Sequence, residues 1–151
     1  MPISSLKVRC AAPEDAGRID ALYGQLVGDT TRCVLPERIR ELSENPRAML
    51  LVAEMNGQVR GTLLVSLCDD VMFNRQPFAI VENIVVDAIA RNQGVGAELL
   101  RAAEAYCVAN DCSKIMLLSS MDRTDAHRFF ERCGFDTSKK KGLVKYRRSF
   151  A

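Results

Sequence analysis

The chain holds a single histidine, His127, and no Cys-x-x-Cys pair among its six cysteines. A zinc site needs closer ligand spacing than Cys10, Cys33, Cys68, Cys107, Cys112 and Cys133 offer, so no metal is expected. No apolar run approaches membrane-spanning length, which argues against a membrane partner. The N-terminus, Met1-Pro2-Ile3-Ser4-Ser5, lacks a basic stretch followed by an apolar one, so a secretion signal is not expected. Without such a signal a disulfide framework is out of place in a domain of this size, and the cysteines read as mostly free, buried thiols in a reducing cytoplasm. The net charge of +2 is too small to imply nucleic acid.

What is present suffices for a core. The 151 residues, 48% of them apolar, predict one domain over 1–151, with no repeat and no linker. Pro13-Glu14-Asp15 suits a helix start, and Ile19, Leu22, Tyr23 and Leu26 follow at helical spacing. Pro36 to Leu42 repeats that pattern more briefly. Asn56-Gly57 between the apolar runs 48–55 and 58–67 predicts a hairpin with a tight type I′ turn. Phe78 to Val86 is a further strand, Val95 to Asn110 a helix and Lys114 to Leu118 a short strand. Ala126 to Cys133 reads as a helix stopped by Gly134, its start capped by Asp122 or Thr124, and Leu143 to Arg147 as a last strand. Strands alternating with helices after an early hairpin predict a mixed α/β sheet of about six or seven strands, flanked by helices on both faces.

The segment with chemical content is Ile84-Val85-Val86-Asp87 followed by Arg91-Asn92-Gln93-Gly94-Val95-Gly96-Ala97. Gly94 and Gly96 let a ligand approach the backbone, and the helix after them opens with unpaired N–H groups and a positive dipole end. Alone, this reads equally as a turn. A Rossmann site does not fit, because position 99 is Leu rather than a third glycine, and a P-loop fails without Gly-Lys-Ser/Thr.

Together with Ala126-His127-Arg128-Phe129-Phe130-Glu131-Arg132-Cys133-Gly134-Phe135 downstream, the segment resembles the GNAT superfamily of N-acetyltransferases in order and spacing from Val81 to Phe135. The first stretch looks like that family's R/Q-x-x-G-x-G/A acetyl-CoA motif, the second like its A-x-x-F-Y-x-x-x-G-F helix. The resemblance implies a single-domain α/β fold that binds acetyl-CoA, leaves CoA as product and acetylates an amine. Ile84, Val85 and Val86 would pair with the pantetheine arm, and the N–H groups of Asn92, Gln93, Gly94, Val95, Gly96 and Ala97 would hold the pyrophosphate. Arg91 would add charge, and Phe129, Phe130 and Arg132 would lie along the cofactor's other side. The favoured acceptor is a small-molecule amine. A protein or peptide amine and an acyl-CoA-binding module with little turnover are the alternatives, and homodimers are common among relatives.

An amine nucleophile has a pKa of about 10.4 and must lose a proton before it attacks. Glu82, an acid inside an apolar strand, is the candidate base, with a solvated glutamate as the plainer reading. A backbone N–H near Val85 would stabilise the oxyanion. The family commonly protonates the leaving thiolate from the tyrosine of A-x-x-F-Y, and here that position is Phe130. His127, Cys133, Ser119, Ser120 and water are the substitutes. His127 reads equally as an acid, base or substrate contact and as a helix histidine with no role. The basic run Lys139-Lys140-Lys141 with Lys145, Arg147 and Arg148 either attracts the cofactor's 3′-phosphate or an acidic partner, or is a solvated loop.

Overall fold

A computed structural model describes residues 5–151. The segment read for a leader lies outside them, apart from Ser5. The described chain forms two compact units, one running up to Leu117 and the other Leu118–Ala151.

The first unit is built on an open sheet in the order β1-β2-β3-β4-β5, formed by β1 (Leu6–Cys10), β2 (Ala48–Met55), β3 (Gln58–Cys68), β4 (Phe78–Val86) and β5 (Ile115–Met116). The first three pairings are antiparallel and β4–β5 is parallel. Asn56 and Gly57 join β2 to β3 with φ of 53° and 79°, the left-handed pair that a type I′ turn requires. The sheet therefore has five strands among the described residues, not six or seven. Residues 143–146 join no sheet and Arg147–Ser149 form a 3-10 turn, so the expected last strand is absent there. Leu143, Val144 and Tyr146 are exposed, which leaves that segment without the packing a strand needs.

Helices cover both faces, as expected. A 3-10 turn at Pro13–Asp15 leads into α1 (Ala16–Leu26), and Pro36 opens α2 (Pro36–Ser43). Ile19 and Leu22 of α1 and Ile39 of α2 pack with Leu50, Val52 and Val85 in one cluster. On the opposite face lies α3 (Val95–Ala109), and Gly61 of β3 shows how closely it sits. A Cβ at position 61 would stand 2.9 Å from Val95 Cγ1 and 3.0 Å from Leu99 Cδ1. Leu63 and Val65, two and four residues on, are fully buried on that face.

The second unit contains α4 (Thr124–Arg132). Its N-cap is Arg123, and neither Asp122 nor Thr124 caps it through a side chain. The C-terminus matches the expectation closely. Gly134 has φ of 93°, its N–H donates to Glu131 O at 3.0 Å, and the Phe135 N–H donates to Phe130 O at 3.0 Å. These are the two bonds of a Schellman motif, and the Phe130–Phe135 ring contact at 6.0 Å is the apolar pairing that accompanies it.

The cysteines differ from the expectation of mostly buried thiols. Cys107 alone is buried, Cys10 and Cys33 are exposed, and the other three are half-buried. The exposed two lie at a strand end and in a loop, where burial does not reach. No helix among the described residues is long and apolar enough to cross a membrane, and no cluster of metal-ligating side chains occurs among them.

Candidate cofactor and acyl-transfer site

The first unit brings Glu82, Ile84, Val85, Val86 and the turn 91–97 onto one continuous strand–turn–helix. β4 carries a register shift opposite residues 62–64 of β3: Thr62 faces Val85, whereas Leu64 faces Glu82. The extra residue is absorbed at Asn83, whose φ of 54° is left-handed. Glu82 is exposed and makes no hydrogen bond or ion pair among the described residues. Asn83 instead hydrogen-bonds the Tyr23 phenol of α1. Burial raises that phenol above its ordinary pKa, and the bond from Asn83 partly offsets the shift.

β5 pairs with β4 only at Ala79 and Ile80. The C-terminal half of β4 therefore has no strand on that side among the described residues. The Asp87 N–H donates to Arg60 O at 2.7 Å, toward β3. Strand alternation then turns the Val86 backbone, and by the same period that of Ile84, toward the open edge, while Val85 points its amide at β3. The Val86 carbonyl on that edge accepts from Arg91 Nε at 3.3 Å. Arg91 is thus tied to the strand end, which sequence reading did not foresee.

A 3-10 turn, Ala88–Ala90, leads into the exposed residues Arg91 to Gly94. Asn92 has φ of 61° and Gly94 φ of 85°; Gly94 is the N-cap of α3 and offers no side chain to cap it. The first-turn N–H groups of Val95, Gly96 and Ala97 have no partner within the helix. Gly94 also accepts the Glu98 N–H at 3.1 Å, the first intrahelical bond. An uncapped helix N-terminus beside an unpaired strand edge fits a ligand with a phosphate end and an amide-bearing arm, as acetyl-CoA has.

Asp87 holds this arrangement and had no role in the sequence reading. It is 5% exposed. Burial alone would raise its carboxyl. Hydrogen bonds from Gln25, Arg60, the Ile89 N–H and Arg18 outweigh that and hold it down at about 2. Its partners come from α1 and β3, so no short motif around residue 87 reveals them.

The remaining sequence-predicted residues lie in the second unit. Phe130 is buried, with its ring centroid 5.3 Å from that of Phe129 and in edge contact with Phe135. His127 Nε2 donates to the Ser120 carbonyl at 2.8 Å, which ties α4 to the loop before it. Arg132 is exposed in the last helical turn, where a cation favours the dipole. Ser119 Oγ is buried with no hydrogen-bond partner, a deficit of about 1–3 kcal/mol that a ligand or water can relieve. In the first unit, Arg32 donates to the carbonyls of Asp20 at 3.2 Å and Asp29 at 3.1 Å.

The profile of the Acetyltransferase (GNAT) family matches residues 19–135. The chain belongs to this family. The GNAT chain is accordingly an N-acetyltransferase by class, with acetyl-CoA as donor. It is similar to a putative acetyltransferase from Agrobacterium tumefaciens at 26% identity and a TM-score of 0.80, covering 93% of this chain and 99% of that one. A glucosamine-6-phosphate N-acetyltransferase from Arabidopsis thaliana is 26% identical with a TM-score of 0.81, covering 95% and 99%. A transcriptional regulator from Bacillus halodurans is 25% identical with a TM-score of 0.81, covering 94% and 99%. No sequence among curated proteins matches this chain.

Proposed function

We propose that this GNAT enzyme, one catalytic domain over 1–151, acetylates a primary amine of a small molecule by direct transfer, with Glu82 as general base. The observation that carries the reading is the position of Glu82, its side chain exposed and unpaired on β4, two residues past Ile80, where the pairing with β5 ends. Acetyl-CoA supplies an acetyl group activated as a thioester. The N–H groups of Val95, Gly96 and Ala97 bind its pyrophosphate, with Asn92, Gln93 and Arg91 beside them, and the Ile84 and Val86 backbone pairs with its arm. Glu82, directly or through a water, takes the proton that the acceptor's ammonium must lose. An open-edge N–H of β4 faces the oxygen on which charge develops, and alternation favours Val86 over Val85 for this. Phe130 has no proton to give, so water protonates the departing thiolate. A small amine as acceptor is in line with the name of the plant relative, a glucosamine-6-phosphate N-acetyltransferase.

The buried phenyl ring at position 130 favours one second reading, a module that binds acyl-CoA with little turnover. Purified protein incubated with acetyl-CoA and a panel of amino sugars, small amines and peptides separates the two. Thiol release with a small amine, lost in Glu82→Gln and kept in Phe130→Leu, supports the enzyme as drawn. CoA binding with no turnover on any amine overturns it in favour of the module, and turnover on peptides alone moves the acceptor to a protein amine.

A further inference from the structure

Asp87 sits at a four-way junction. Its Oδ2 accepts from Arg18 Nη2 at 3.0 Å and Arg60 Nη1 at 2.9 Å, and its Oδ1 accepts from Gln25 Nε2 at 3.3 Å and the Ile89 N–H at 3.3 Å. Gln25 returns to the same turn, its Oε1 accepting the Ala88 N–H at 2.9 Å. Arg18 also grips the Val59 carbonyl at 2.9 Å, so one guanidinium spans the start of β3 and the end of β4. The Ala90 N–H closes on Asp87 O at 2.8 Å, and Gln93 Nε2 donates to Ile89 O at 3.3 Å. The backbone amides of residues 87 to 90, but for the N–H-bearing loop beyond them, are thus bonded one after another to groups from α1, β3 or the turn itself.

We propose that Asp87 and Gln25 are positioning residues for the cofactor: they fix residues 88–90 so that the amides from Asn92 to Ala97 meet the pyrophosphate without reorganising. This rests on the reading of that turn as the pyrophosphate site. The physical reason is that the turn beyond residue 90 is exposed and carries two left-handed residues, so nothing buried in the turn itself sets its direction until Val95. The direction is inherited from the junction. Two arginines against one carboxylate also make the junction intolerant of a neutral side chain, since each guanidinium then loses its only carboxylate there.

The test is CoA affinity by calorimetry, which needs no turnover, alongside urea unfolding of each variant. Gln25→Ala leaves both arginine pairs intact and removes the Ala88 partner; it is expected to weaken CoA binding up to about 10-fold, the scale of a lost hydrogen bond. Asp87→Asn is expected to weaken it further, with the loss appearing in KM for acetyl-CoA more than in kcat. The control is Asp15→Asn. Asp15 is an equally buried carboxylate held by Arg9 at 2.7 Å and away from the turn, and its loss should lower the unfolding midpoint and leave CoA affinity unchanged. Variants of Asp87 and Gln25 that bind CoA as tightly as wild type, whatever their stability, overturn the proposal. If Asp87→Asn does not fold, exposed Gln25 decides alone. Failure of wild type to bind CoA defeats the cofactor reading first and this proposal with it, and that result is read before any variant is made.

Discussion

Glu82 and Val85 lie on the same face of β4 although they are three residues apart. Glu82 pairs with Leu64 and Val85 with Thr62, and both partners stand on the α1 side of β3. In an unbroken strand an odd spacing would put them on opposite faces. The left-handed Asn83 supplies the extra residue, and it brings the candidate base and the buried end of the strand to one side.

Glu82→Gln should lower kcat by about 10²–10⁴-fold, the range of a lost general base, with little change in KM for acetyl-CoA. The exposed side chain makes no hydrogen bond or ion pair among the described residues, so the thermal midpoint should not move. Steady-state thiol release read beside a melting curve checks both. A midpoint drop as large as the activity loss would assign Glu82 to structure.

Gly61→Ala tests how α3 is seated. The new methyl group meets Val95 and Leu99 inside ordinary contact distance and the Val85 carbonyl at 3.3 Å. Overpacking of this kind costs about 1–3 kcal/mol. The urea midpoint should fall without a change in slope, and CoA affinity should fall with it because the displaced Val95 opens the first turn of α3.

The acid limb of stability should depend on Asp87. Its folded carboxyl, at about 2, lies below the ordinary 3.8, so its contribution is complete above the ordinary value and is lost as pH falls through about 2. Asp15, lowered chiefly by its hydrogen bond from Arg9, acts with the same sign. Urea midpoints taken from about pH 5 to about pH 2 should therefore decline, and Asp87→Asn should decline less steeply while starting lower.

Phe130→Leu should keep most of the turnover, since the ring donates no proton. It loses aromatic pairs to Phe129 and Phe135, which cost about 0.5–1.5 kcal/mol each beyond the lost area. Kinetics and urea unfolding of the variant check this, and a fall in kcat beyond about 10-fold would show that the aromatic ring takes part in turnover.

Native alkylation followed by mass spectrometry should modify Cys10 and Cys33 first and Cys107 last. Burial pushes the Cys107 thiol up to about 12, with the neighbouring Cys112 adding to the shift, so little thiolate exists near neutral pH. Early labelling of Cys107 would mean that the end of α3 opens readily.

The parts legible in the sequence were those whose cause is local. Asn56-Gly57 names its own turn, and Gly94 and Gly134 stand where the chain takes a positive φ. The helices α1 to α4 follow from apolar spacing, apart from their ends. At the start of α4, Asp122 and Thr124 have the chemistry of a cap, but the chain turns at Arg123. At 143–147 no strand forms, because the apolar and basic residues there say what a strand accepts, not whether a partner lies beside it.

The sequence by itself determined the family motif, the strand–turn–helix that bears it and the missing hydroxyl at Phe130. Tertiary structure decided the rest. Asp87 draws Arg18, Gln25 and Arg60 from 69, 62 and 27 residues away, the shift at Asn83 exists only relative to β3, and the edge of β4 is open only because β5 stops at Met116. Each is a relation between segments distant in sequence, where the energy of burying a charge or completing a ladder is set by neighbours the local sequence does not contain.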